Sequence, residues 1–147
     1  MNELLSQALV SFFLYGFIGW VLDSVYRSMV DRRWARGGCT FLPFTPSYGI
    51  GAVILLVIGP TIVQFSYPVQ WLLLGVIFGG YEYLCGRVTV RVFRRRLWDY
   101  SRERMNIHGH TDLRHIVYWA TLAFLVLHYV NPWVFSTEEF GVAMMKL

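Results

Sequence analysis

The residue in this sequence best placed to do chemistry is Glu82, which interrupts a helix-length apolar run beginning at Trp71 and leads toward the arginine-rich stretch Arg94-Arg95-Arg96-Leu97-Trp98-Asp99-Tyr100-Ser101. A carboxylate at bilayer depth costs several kcal/mol unless it is paired, neutral or turned to water, so chains that keep one usually use it. Gly75, Gly79, Glu82 and Gly86 are spaced 4, 3 and 4 residues apart and share one face of a helix. Small residues on a membrane helix mark where another helix comes close. Glu82 is therefore expected to face protein or an enclosed cavity.

A second acid repeats the arrangement. Gly16, Gly19, Asp23 and Arg27 recur at spacings of 3 to 4, again one helical face. Shifting the chain by 59 residues lays Asp23 on Glu82, Gly16 on Gly75, Ile18 on Ile77, Arg32 on Arg91 and Arg36 on Arg95. Two parallel helix pairs related by an axis along the membrane normal would produce this pattern. In the functional reading Asp23 and Glu82 line a polar path for an ion or small solute, with Arg27 and Arg87 as partners toward the cytoplasm; in the structural one they form an ion-pair network that fixes packing. The glycines Gly75 and Gly79 either join two copies of the chain or pack helix 3 against helix 1.

The remaining polar motifs sit in connections. Trp98 and Tyr100 suit a membrane interface, with Arg94, Arg95 and Arg96 reaching anionic headgroups, while Asp99 or Ser101 can cap a short helix. His108, His110 and Asp112 alternate in a way that suits a loop and lack a fourth spaced ligand, so no metal site is expected.

The elements that must hold these residues follow from composition. Of 147 residues, 56% are hydrophobic and only 15% charged, against about a quarter charged in a soluble domain; the class is integral membrane protein. Charges are absent from Leu4 to Leu22, Gly37 to Tyr81 and Ile116 to Thr137. At about 20 residues per span, the outer runs hold one helix each and the middle run two, joined by a turn at Gln64-Phe65-Ser66-Tyr67-Pro68. The expected fold is all-α: a single transmembrane domain over residues 1–147, a bundle of four helices near 5–29, 50–65, 69–93 and 113–130, with a kink at Gly59-Pro60 and a helix stop at Asn131-Pro132. Between the first two spans, the glycines and prolines from Arg36-Gly37-Gly38-Cys39 to Tyr48-Gly49 forbid a regular helix and favour a folded, partly re-entrant segment.

All twelve arginines fall between Arg27 and Arg36 or between Arg87 and Arg114. The positive-inside rule makes both stretches cytoplasmic and puts the Ser66 turn and both termini outside a cytoplasmic (inner) membrane. Met1-Asn2-Glu3 is acidic, unlike the basic start of a secretory signal, and Cys39 and Cys85 fall on the reducing side, where a structural disulfide is not expected. Basic residues beside membrane helices orient the chain and meet lipid, so nucleic acid is not an expected partner.

The sequence resembles a known family. Phe13-Leu14-Tyr15-Gly16-Phe17-Ile18-Gly19-Trp20-Val21-Leu22-Asp23-Ser24-Val25-Tyr26, then Arg36-Gly37, Pro43, Tyr48-Gly49, Tyr81-Glu82-Tyr83, Trp98-Asp99-Tyr100-Ser101 and Asn106-Ile107-His108-Gly109 are similar, in order and spacing over roughly residues 11 to 130, to the bacterial family labelled putative ABC-transporter type IV. The resemblance implies a small polytopic membrane protein of permease type. It differs from the family's common pattern at Asp23, where Glu is usual, and at His110, where Arg is frequent. No GxxxxGK[ST] nucleotide loop is present, so an ATP-driven transporter would need its ATPase on a separate polypeptide.

The leading reading is a permease-like subunit with an acid-lined site between helices 1 and 3, closed at the cytoplasmic side by the loops carrying Arg36, Gly37 and Trp98, Asp99, Tyr100, Ser101, Asn106, Gly109. The alternatives are a membrane enzyme or headgroup-binding protein using Asp99, His108 and Asp112 as interfacial acid-base groups, and an assembly subunit of a membrane complex. No nucleophile and base stand at a diagnostic spacing, so no catalytic residues and no cofactor are expected. Four short helices enclose little of a pathway alone, which favours a homo-oligomer.

Overall fold

The computed structural model describes residues 3–38, 41–94 and 96–135. They form α1 (Glu3–Asp31), α2 (Pro46–Ile62), α3 (Tyr67–Phe93), α4 (Leu113–Leu125), a π-helical turn (Val126–Val130) and the short α5 (Asn131–Val134). Among the described residues the only β-type pairing is an isolated bridge between Ile107 and Thr111. By its contacts the chain divides into two compact units, Met1–Val57 and Ile58–Leu147.

Two stretches are long and apolar enough to cross a membrane, Leu4–Asp31 and Leu113–Val134. The expected second span, α2, has 17 residues. The third, α3, has 27 residues, carries Glu82, Arg87 and Arg91, and is not among these two stretches. Pro60 lies inside α2, which runs on to Ile62.

In the first unit, the segment after α1 folds back along the helix. The Gly37 amide donates to Ser24 Oγ at 2.8 Å and the Gly38 amide to Asp23 Oδ2 at 2.8 Å. Seven residues later the Thr45 amide reaches the carbonyl of Gly16 at 2.9 Å. At about 1.5 Å per helical residue, the return from Asp23 to Gly16 covers about 10 Å of α1. Glycine is what lets the chain lie so close: the Phe44 ring covers Gly16, the Tyr48 ring covers Gly19, and a β-carbon at Gly37 would sit 2.7 Å from the Ser24 amide nitrogen. Trp20 Nε1 and Thr45 Oγ1 are buried without a hydrogen-bond partner, which sets about 1–3 kcal/mol each against this arrangement.

In the second unit, α3 starts behind Ser66 with Pro68 in its first turn and ends on Arg94, whose φ of 53° is the left-handed conformation that stops helices. Its buried residues are Gln70, Leu74, Gly75, Phe78, Gly79, Glu82 and Gly86, one face at helical spacing. Leu72, Val76, Leu84, Val88 and Val92 on the other side are exposed and form an apolar surface. The buried face packs on α4: a β-carbon at Gly75 would meet Ala120 Cβ at 3.3 Å and one at Gly79 would meet Ile116 Cγ1 at 2.6 Å. Gly79→Leu should therefore cost about 1–3 kcal/mol by overpacking, seen as a lower melting temperature in detergent. Gly80→Leu is the control, because nothing lies within 4 Å of its β-carbon position. Equal melting temperatures for the two variants would mean that α4 does not pack there.

The expected stop at Asn131-Pro132 is corrected by the structure. The Asn131 amide reaches back five residues to the carbonyl of Val126, and the Phe135 amide closes on Asn131 at 2.8 Å. Widening the helix by one residue spares Pro132 the usual clash with the carbonyl of the preceding turn, so the helical path continues to Val134.

Candidate functional site

Glu82 is 6% exposed, and its partners come from α4 and from the loop between α3 and α4. Thr111 Oγ1 donates to Glu82 Oε2 at 2.6 Å and the Tyr100 hydroxyl to Oε1 at 3.3 Å. Trp119, on the second turn of α4, also hydrogen-bonds the carboxylate. Beside it lies a second buried acid. Asp112 is 0% exposed; as the N-cap of α4 it accepts the His115 amide at 3.0 Å, and its other oxygen lies 2.6 Å from His115 Nδ1. The Tyr100 ring stacks on the His115 imidazole with centroids 3.8 Å apart and planes 13° from parallel. Two carboxylates, one imidazole and two hydroxyls are thus held together between the middle of α3 and the start of α4.

The loop is built to make those contacts. Ile107, His108, Gly109 and His110 form a tight turn, with φ of 54° at His108 and 71° at Gly109 and the His110 amide donating to the Ile107 carbonyl at 3.0 Å. Positive φ at both central positions is the type I′ geometry that favours glycine. The Asn106 side chain bridges the turn, donating to the carbonyls of Ser101 and Glu103 and accepting the Gly109 amide. The turn points Thr111 at Glu82 and starts α4 on Asp112. The Trp-Asp-Tyr-Ser segment is fastened to it: Trp98 Nε1 donates to the His110 carbonyl at 2.9 Å and the Tyr100 amide to the Gly109 carbonyl at 2.9 Å.

Asp99 stands apart from Glu82, on the exposed side of the loop. Its carboxyl is held below the usual carboxylate range by hydrogen bonds from the Ser101 hydroxyl and amide, with Arg96 adding a favourable charge at 3.1 Å. Arg96 also donates to the His108 carbonyl. This is a turn brace. Asp99, His108 and Asp112, the expected interfacial acid-base group, are divided among different tasks: Asp99 braces the turn, His108 lies 3.1 Å from the Tyr83 hydroxyl, and Asp112 caps α4. Arg87, expected to pair with Glu82, donates instead to the Tyr83 hydroxyl at 3.3 Å and sits over its ring. Arg95 and Cys39 lie outside the described residues.

His110 is buried against Gly86, where a β-carbon would lie 2.7 Å from its Nδ1. Burial first, then the charges of Arg96 and Arg87, hold its imidazole below the ordinary 6.5. The folded state therefore resists protonation that the unfolded chain accepts, and this contribution to stability is present above the unfolded value and lost as pH falls below it. The melting temperature should drop between about pH 7.5 and about pH 5.5, and His110→Asn should flatten the slope. Superimposable profiles for the two proteins would refute the assignment.

In the first unit, Asp23 is committed to local structure. Arg27 Nε lies 3.1 Å from both of its carboxylate oxygens, and Oδ2 also takes the Gly38 amide. Ser24 passes its hydrogen to the Trp20 carbonyl while accepting the Gly37 amide, and Arg36 donates to the Phe41 carbonyl. The residues that surround Glu82 without having been singled out beforehand are Thr111, His115 and Trp119; the only advance signal was Asp112 three residues before His115, the spacing of an N-cap and its side-chain partner.

No curated protein and no solved structure matches the chain. One family model does, over residues 10–146, and the chain belongs to the family that it describes, Putative ABC-transporter type IV.

Proposed function

We propose that this protein is the membrane-embedded subunit of a transporter and that Glu82 is the polar station of its pathway. The observation that carries the reading is the placement of one buried carboxylate at the meeting point of the Trp98-Asp99-Tyr100-Ser101 and Asn106-Ile107-His108-Gly109 segments, each of which spends its hydrogen bonds on bringing Tyr100 and Thr111 to it. Membership of a family described as ABC-transporter type supports a permease role. With no nucleotide-binding loop in the sequence, ATP hydrolysis would be supplied by a separate ATPase polypeptide.

In this reading α2 and α3 join the two apolar stretches as membrane spans, giving four in the cytoplasmic membrane. At about 1.5 Å per residue, α2 is about 25 Å long, close to the hydrocarbon thickness of about 30 Å, and α3 is longer than needed. Arg94, Arg95 and Arg96 meet anionic headgroups at the cytoplasmic surface, and both termini lie outside. A homo-oligomer would complete a pathway that one copy is too small to enclose.

Topology and transport are tested separately. On intact cells an impermeant thiol reagent should label Ser66→Cys and spare Ser101→Cys; the reverse pattern overturns the orientation. A strain lacking the chain should show a transport defect that the wild-type protein restores, and a restored phenotype with Glu82→Gln would remove Glu82 from the pathway.

A further inference from the structure

We propose that the Glu82 site binds an exchangeable proton, so that its carboxyl alternates between a charged and a neutral form within the pathway; the proposal rests on the transporter reading of the same site and deepens it. The first argument is a charge count. Two buried acids, Glu82 and Asp112, face one buried base, His115. Among the described residues no arginine or lysine forms an ion pair with either acid: Arg27 pairs with Asp23, Arg96 with Asp99 and Arg114 with Glu103. When the imidazole is charged it balances Asp112, 2.6 Å away, and Glu82 remains as a buried charge with no cation of its own. One added proton brings the cluster to neutrality.

The second argument is the kind of partner that Glu82 has. An arginine or lysine donates only, and fixes a carboxylate in its charged form. Thr111 and Tyr100 bear hydroxyls, which donate to a carboxylate and accept from a carboxylic acid without moving their oxygens; the Trp119 indole donates only, and serves whichever Glu82 oxygen stays unprotonated. The step is balanced without a co-reactant: a proton adds to one carboxylate oxygen, the acid then donates to the hydroxyl it previously accepted from, and release reverses both changes. The loop that holds Tyr100 carries exposed Asp99 and Ser101 on its outer side, which places the site one side chain from a solvated surface.

A metal ion fits less well. A hard cation needs about six oxygen ligands, and Glu82, Asp112 and His115, though neighbours, do not converge as a metal-holding group among the described residues. The other titratable groups around Glu82 are Cys85 and Tyr81 on α3, hydrogen-bonded to each other, with Tyr83 next in the chain and Arg87 beyond it; His115 and Tyr118 on α4; and Tyr100, His110 and Asp112 from the loop.

The test is an infrared titration of the full-length purified protein in lipid, following the carbonyl stretch of protonated carboxyl groups from about pH 5 to about pH 9. A band that grows and fades with pH and is lost in Glu82→Gln is expected. Thr111→Val and Tyr100→Phe keep the carboxyl and change its hydrogen bonds, so each should shift the band's frequency, which keeps the test decisive even if Glu82→Gln fails to fold. A carboxyl that shows no band at any pH, a band that never changes with pH, or a titration displaced by sodium or potassium ions would each overturn the proposal. The two readings fail differently. A titrating band together with an unimpaired Glu82→Gln strain would keep the proton site and remove Glu82 from the transport pathway, whereas a transport defect in Glu82→Gln with no titrating band would keep Glu82 in the pathway and overturn the proton site.

Discussion

Glu82→Gln should yield a folded protein that no longer supports transport. Glutamine keeps the length and shape of the side chain, and its amide oxygen can still accept from the Thr111 or the Tyr100 hydroxyl, the two donors that hold the carboxylate at 2.6 and 3.3 Å. Its NH2 group faces whichever hydroxyl is left, and that hydroxyl can turn to accept. The loss of stability is then about one net hydrogen bond, on the order of 1 kcal/mol. If Glu82 is the polar station of the pathway, a side chain that cannot ionise should abolish transport while leaving the fold intact. The measurements are the melting temperature of the purified variant and the initial rate of transport in a strain that makes it at wild-type levels. A variant destabilised by about 3–5 kcal/mol would instead identify Glu82 as half of a buried ion pair, and a stable, fully active one would leave it without a role in transport.

Asp112→Ala should be the most destabilising single substitution in the loop that precedes α4. The side chain is fully buried, caps the helix through the His115 amide at 3.0 Å and holds His115 Nδ1 at 2.6 Å. Losing the cap alone costs about 1 kcal/mol, and losing the buried hydrogen bond to the imidazole adds about 1–3 kcal/mol. Because Tyr100 stacks on that imidazole, the damage should spread to the Tyr100–Glu82 contact. Asp112→Asn keeps the cap and removes the charge, and should fall between wild type and Asp112→Ala in denaturant midpoint. An Asp112→Ala protein within about 1 kcal/mol of wild type would show that His115 is satisfied elsewhere.

The sequence alone was enough for the all-helical class and for stretches apolar enough to cross a membrane, because charge-free runs of helical length need no tertiary information to be recognised. It also carried the choice of Glu82 as the residue to follow and the face on which it lies. Gly75, Gly79, Glu82 and Gly86 repeat at the period of a helix, and that local geometry needs no tertiary information. The fold-back after α1 was legible for the same kind of reason: glycines and prolines from Gly37 to Pro46 exclude a helix whatever surrounds them.

Only the tertiary structure decided what stands on the other side of those faces. Gly75 and Gly79 meet α4, whose Ile116 and Ala120 follow no pattern that names α3 as their neighbour. Glu82 meets Tyr100, Thr111, His115 and Trp119, separated from it by 18 to 37 residues, and nothing in residue spacing reports a contact across a loop. Arg87 illustrates the limit. One turn from Glu82 on the same helix, it was the natural ion-pair partner by sequence, but the helical face that buries Glu82 leaves Arg87 exposed beside Tyr83. Periodicity says which residues share a face; which charges end up paired depends on what packs against that face, and for Glu82 that is decided by a type I′ turn and the first two turns of α4.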